Sequence, residues 1–151
     1  MDAVILRADS SHLEQLLPLF TGYRRFYEQA PDDEADRAFL TARLHLNDSV
    51  IFLAQNDEHA GKASGFLQLY PSFDSVAAGP IWILHDLYVA EDCRRSGTGR
   101  LLMNAARDFC RTTGAVRVDL ATAVTNHGAK ALYESLGYER DKEFDHYSLT
   151  L

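Results

Sequence analysis

Residues 80–110 read PIWILHDLYVAEDCRRSGTGRLLMNAARDFC, and their order of textures decides the fold. The near-continuous apolar run 80–89 suits a central strand covered on both faces. A turn rich in arginine and glycine follows. Then Leu101, Leu102, Ala105, Ala106 and Phe109 repeat along one face of a helix that Gly114 can end. The first amides of a helix lack acceptors within it, and the aligned peptide dipoles add partial positive charge there. Gly97 and Gly99 bring no Cβ to block an anion, and Arg94, Arg95 and Arg100 offer charge-assisted hydrogen bonds, with Ser96 and Thr98 between them. The turn therefore reads either as a diphosphate cradle or as a solvated turn with arginines in water. A P-loop is disfavoured because Gly99 is followed by Arg100-Leu101, and a dinucleotide fingerprint because Leu102 stands where its third glycine belongs.

Outward from this core, AVILRA (3–8) reads as a first strand, and Asp9, Ser10 and Ser11 supply capping groups for a helix through Leu13, Leu16, Leu17, Phe20 and Tyr27, interrupted at Pro18. A second helix is expected over 33–46. VIFLAQ (50–55) and ASGFLQLY (63–70) read as strands of a hairpin joined by NDEHAGK (56–62). VRVDLA (116–121) alternates as another strand, residues 126–136 form a further helix with Gly137 at its end, and FDHYSLTL (144–151) closes the chain as a strand. The order β-α-α-β-β-β-α-β-α-β-β is a mixed α/β fold whose central sheet is mostly antiparallel.

The 151 residues, 46% of them hydrophobic, match one domain over 1–151 with a sizeable core. A net charge of −7 argues against binding nucleic acid and favours cationic ligands. No signal segment or membrane-length apolar run is evident, so a cytoplasmic protein without membrane association is expected. Cys93 and Cys110 lack the spacing of a redox pair, and the cysteines and histidines, His12, His45, His59, His127 and His146 among them, show no metal-ligand spacing, so no metal is expected.

A second constellation stands in TNHGAKALYESLGY (125–138). Asn126 can cap the helix, and Tyr133, seven residues on, shares its face about two turns away, with the small Ala129 between. Such a face suits a narrow, extended ligand; taken singly, the two residues read as a cap and a core aromatic.

Together these residues identify a family. RRSGTG, Arg94-x-x-Gly97-x-Gly99, resembles the acyl-CoA-binding motif of the GNAT superfamily of N-acetyltransferases, and N..A..LYESLGY resembles its second signature. LHDLYV (84–89) is similar to the Hpa-type and the spermidine/spermine N-acetyltransferases. The likeness is close over residues 80–138. It implies acetyl-CoA as cosubstrate and a primary amine of a small molecule, amino acid, polyamine or peptide as acceptor, joined by direct transfer in a ternary complex. It implies that main-chain groups of Leu87, Tyr88 and Val89 pair with the pantetheine arm, that the amides of Arg95 to Arg100 hold the pyrophosphate, and that Asn126 lies beside the pantetheine or the reacting centre. It also implies a slot between splayed central strands and puts Tyr133 beside the sulfur as general acid. For the base, His85 shares strand parity with Leu87 and Val89, whereas Asp86 points to the opposite face unless a bulge redirects it. The polyamine enzymes carry an acidic residue at the position of His85, so His85, Asp86 and water all stay open.

Tyr23, Phe26 and Tyr27, with Asp86 and the acids Glu28, Asp32, Asp33 and Glu34, form a candidate wall for the substrate ammonium; the acids read equally as a solvated turn. Exposed strand edges make a homodimer plausible. The alternative to an enzyme is a catalytically silent acyl-CoA-binding or interaction module, with a nucleotide-binding regulatory domain a more distant third.

Overall fold

The computed structural model describes residues 3–56 and 62–151. Most of the expected 56–62 connection, His59 included, lies outside the described residues. By their contacts the residues form two compact units, Met1–Ala121 and Thr122–Leu151. Among the described residues no helix is long and apolar enough to cross a membrane.

The first unit is a five-stranded sheet in the order β1-β2-β3-β4-β5, made of β1 (Val4–Arg7), β2 (Val50–Gln55), β3 (Ala63–Asp74), β4 (Gly79–Val89) and β5 (Arg117–Leu120). Its first three pairings are antiparallel and only β4 with β5 is parallel. That parallel step requires a crossover, which is the helix α3 (Thr98–Thr112). Residues 63–69 of β3 are buried without a break, as a strand covered on both faces must be.

One face carries α1 (Leu13–Phe26) and α2 (Asp33–Leu46), whose Leu16, Leu19, Phe20 and Leu40 pack with Ile51, Leu53 and Phe66. The other carries α3, which buries Leu102, Met103, Ala106 and Cys110 and sets Phe109 edge-on to Phe52 and Trp82. Each fully buried aliphatic or aromatic side chain of this core contributes about 1.5–3 kcal/mol relative to exposure.

Local chemistry explains the boundaries. Asp9 caps a 3-10 turn at Ser10–His12: its carboxylate accepts from the Ser11 amide at 2.9 Å while its own amide donates to His12 Nδ1 at 2.9 Å. The helix beyond runs through Pro18 without a break. Asp32 caps α2 by accepting from the Ala35 amide at 3.0 Å. Asp36, only 1% exposed, receives hydrogen bonds from Arg24 and from Thr21 Oγ1, so α1 and α2 are tied through a buried carboxylate. Gly22 of α1 lies against Tyr88 of β4: a Cβ there would stand 2.7 Å from the tyrosine hydroxyl oxygen.

The second unit holds α4 (His127–Ser135). Asn126 caps it, its side-chain oxygen accepting from the Ala129 amide at 3.2 Å, and Gly137 follows at φ 92°. Here the sequence reading needs correction. The order ending in two strands after this helix is not observed, and the expected strand over 144–151 is absent. Phe144, Tyr147, Leu149 and Leu151 are exposed instead. Alternating apolar residues mark what a strand would look like, but a strand forms only where a neighbour takes up its backbone groups.

Because Asp36 is buried and Arg24 only partly so, Asp36→Ala should lower unfolding free energy by about 2 kcal/mol in a urea titration. Arg37→Ala, which breaks an exposed pair with Glu14, should leave the midpoint near that of the parent.

Candidate active site

The central feature is a loss of pairing. The β4–β5 ladder runs from Ile81↔Arg117 to Leu84↔Leu120 and stops, while β4 continues to Val89 paired with β3 alone. The Ala90 amide donates to Ser64 O at 2.8 Å, so alternation turns the amide of Tyr88 toward β3 and those of Leu87 and Val89 toward the other edge. Consistently, Val89 O accepts from Arg94 Nε at 3.0 Å rather than from β3. The strand thus offers backbone donors and acceptors on an edge without a ladder partner, beyond the end of β5.

Where the β4–β5 ladder ends, the register with β3 breaks. Gln68 pairs with Asp86, but Leu69 pairs with Leu84, so His85 is an extra residue in β4, a β-bulge. In a regular strand His85 and Asp86 would point to opposite faces. The bulge brings them together: His85 Nδ1 lies 2.8 Å from Asp86 Oδ1, and the imidazole packs edge-on to Tyr70 of β3, ring centres 5.4 Å apart. Gln68 and Tyr70 share strand parity, so both β4 residues lie on the α1/α2 side of the sheet. The expected parity of His85 with Leu87 and Val89 is therefore corrected, for the inserted residue resets the alternation.

The two side chains differ in exposure. His85 is 61% exposed and Asp86 3%. The hydrogen bond to Asp86 raises the His85 pKa above its ordinary value, against the opposing effect of partial burial. Tyr23 of α1 donates to His85 O at 3.3 Å; burial, then the nearby Asp86 carboxylate, raises its pKa and keeps the phenol neutral. Tyr70 is raised in the same way, by burial first. Beyond Tyr23 stand Tyr27 and Phe26, in successive edge-on contacts at 5.1 and 5.2 Å, both largely exposed. Of the acids expected near them, Asp32 serves as the cap of α2.

Behind the pair is a buried line of polar groups with no counterpart in the sequence reading. Gln68 Nε2 donates to Asp86 Oδ2 at 2.6 Å, and Ser49 Oγ donates to Gln68 Oε1 at 2.8 Å. Gln68 is 0% exposed, Ser49 7%. The signal for it was one amide inside the apolar run GFLQLY, which marks a polar group that must find a partner.

At the far end of β4, the turn expected to bind phosphate folds into an open helix start. Gly97 caps α3 at φ 84° with no side-chain hydrogen bond, and a Cβ on it would meet nothing within 4 Å. The start of α3 is therefore open at Gly97 itself. Ser96 Oγ donates to Cys93 O at 2.6 Å and lies 2.8 Å from Thr98 Oγ1, bracing the turn from inside, and Arg95 adopts a left-handed φ of 64°. Arg94 is held over the Tyr88 ring, 5.5 Å from its centre. This end fits an anion: it combines backbone donors, a glycine at the point of approach and arginines beside it. In the second unit, Asn126 is the helix cap, and Tyr133 is half-buried with its ring 6.1 Å from Tyr138. Lys130 Nζ donates to Val124 O at 2.7 Å.

Neither cysteine is activated. Burial pushes the Cys110 thiol up to about 11, and burial together with Asp92 raises Cys93, so both favour the thiol over the nucleophilic thiolate.

Comparison with known proteins places the chain among acetyltransferases. The family model described as Acetyltransferase (GNAT) family matches residues 13–138. Over 147 residues the chain is 43% identical to the "Uncharacterized N-acetyltransferase YhfO" of Bacillus subtilis (strain 168), with 97% of each chain covered. Over 147 residues it is 31% identical to a "Probable acetyltransferase" of Haemophilus influenzae, again with 97% of each covered. A crystal structure of a probable acetyltransferase superposes with a TM-score of 0.92 at 43% identity, covering 98% of this chain and 97% of that one.

The raised His85 value yields a signed prediction. By NMR, His85 should titrate above the reference of about 6.5, and Asp86→Asn should bring it back toward that reference. The pair's contribution to stability is full below about 6.5 and is lost as pH rises through the folded-state value.

Proposed function

The chain belongs to the acetyltransferase (GNAT) family, and on that premise we propose that it acetylates a primary amine of a small molecule, amino acid, polyamine or peptide by direct transfer in a ternary complex. The observation that carries this reading is the bulge at His85, which sets an exposed imidazole backed by a buried carboxylate beside the unpaired edge of β4. The family match spans both compact units, which supports one catalytic domain over 1–151.

Acetyl-CoA supplies an activated acyl carbon and a thiolate leaving group. The edge amides and carbonyls of β4 from Leu87 to Val89, with Tyr88 between, line up with the amide-bearing pantetheine arm. The amides of the turn from Arg95 through Ser96 to Gly97, and of Thr98, Gly99 and Arg100 in the first turn of α3, receive the diphosphate, with Arg94 bracing the strand end. Asn126 adds a carboxamide for the same arm. An alkylamine is mostly protonated near neutral pH, so a base is required. His85 takes that proton on Nε2, because its Nδ1 faces Asp86. A β4 backbone N–H stabilises the developing oxyanion, and the Tyr133 phenol donates a proton to the departing sulfur. The unactivated thiols of Cys93 and Cys110 support direct attack over a covalent acetyl-enzyme.

Tyr23, Tyr27 and Phe26 form the acceptor wall, and aromatic faces beside the Asp86 carboxylate suit an ammonium on an apolar stem. The similarity of LHDLYV to the Hpa-type and spermidine/spermine enzymes supports a small amine. The exposed apolar residues of 144–151 support a homodimer; light scattering should then report twice the chain mass, and a monomer would remove that part of the reading.

Coenzyme A thiol release over an amine panel tests the whole. Tyr133→Phe should lower kcat by about 100-fold with acetyl-CoA affinity retained in calorimetry; unchanged turnover would remove the phenol from the mechanism. Tight acetyl-CoA binding with no turnover on any amine would favour a silent acyl-CoA-binding module. For the parent, kcat/KM should rise with pH through the raised His85 value, and in Asp86→Asn that limb should move to lower pH.

A further inference from the structure

We propose that Gln68 is a positioning residue for the reaction, acting through Asp86 on His85 and itself oriented by Ser49. This rests on the reading of His85 as the base. The orientation of the carboxamide follows from donor and acceptor chemistry. An ionised carboxylate only accepts, so the group 2.6 Å from Asp86 Oδ2 is the Gln68 NH2, which leaves Oε1 to accept from the Ser49 hydroxyl at 2.8 Å. Exchanging the two ends would set oxygen against oxygen at the carboxylate.

With Oδ2 engaged by Gln68, the other oxygen, Oδ1, is directed at His85 Nδ1, 2.8 Å away. The imidazole is then held as the Nδ1–H tautomer, with Nε2 left as the acceptor. The bulge makes the connection possible, since Gln68 is the β3 partner of Asp86 at the step where the register shifts. The other groups facing this point are Tyr23 from α1 and Tyr70 from β3, both kept neutral, with Arg43 and Asp48 acting on Tyr70 from the end of α2. Asp86 is therefore the charge that His85 meets directly, and Gln68 is its buried side-chain donor on the side away from the imidazole.

A filler role and a positioning role predict different results. Gln68→Met keeps the volume and apolar fit of the site but removes the donor, so a filler role leaves His85 and catalysis as they were. The positioning role predicts that the His85 pKa measured by NMR falls toward about 6.5, that kcat drops about tenfold, and that KM for acetyl-CoA stays within about twofold. In a His85→Gln background the same substitution should cost nothing more, since both changes act through one group. Ser49→Ala removes only a hydroxyl and should shift His85 in the same direction by less, which keeps the test open if Gln68→Met folds poorly. A folded Gln68→Met, or failing that Ser49→Ala, with the His85 titration and kcat of the parent would overturn the proposal. Full activity in His85→Gln would instead overturn the base reading, while the NMR titration would still report on the Gln68 connection.

Discussion

A strand inside a sheet has no backbone groups to spare, and the candidate site exists because β4 escapes that rule. Its parallel neighbour stops at Leu120, opposite Leu84, and beyond the bulge at His85 the residues Asp86 to Val89 keep one ladder instead of two. Unsatisfied backbone groups are costly when buried, so such an edge is stable only beside solvent or a ligand bearing its own amides. The bulge at His85 sits at the point where the second ladder ends, and the turn into α3 follows where the first ends. Both ends of the proposed cosubstrate site therefore derive from how far β4 outlasts β5.

The second constraint is the carboxylate of Asp86. An anion removed from water must be met by donors. This one is met by Gln68 from the neighbouring strand and by the imidazole beside it, with Tyr23 above. Such a satisfied cluster has few alternative arrangements, which is useful where a proton must leave an amine from one direction. In the proposed reaction the exposed histidine and the buried aspartate divide the work: one meets the substrate, the other keeps its charge and orientation.

Much of the fold was legible because its signals are local. The caps at Asp9 and Asn126, the apolar stripe of α3 and the glycine at its start each act within a few residues, so composition and spacing reveal them. α2 begins and ends where its pattern predicts. The bulge is different, since it is defined by which β3 residue lies opposite, and no property of LHDLYV alone encodes that register. Gln68 was missed for the same reason: an amide in an apolar run announces that it has a partner but not which one. The C-terminal alternation misled in the opposite sense, because pattern describes a strand's faces and is silent about its neighbour.

The bare α-carbon of Gly22 beneath the Tyr88 hydroxyl has a wider meaning for the molecule. It lets the helix that carries the proposed acceptor wall settle against the Tyr88 ring of the strand that carries the proposed cosubstrate edge, with no side chain of its own in between. On the proposed reading, any change of acceptor choice along α1 is mechanically bound to the strand that holds the cosubstrate. New specificities would arise more readily at its exposed C-terminal turn, around Phe26 and Tyr27, than at its middle.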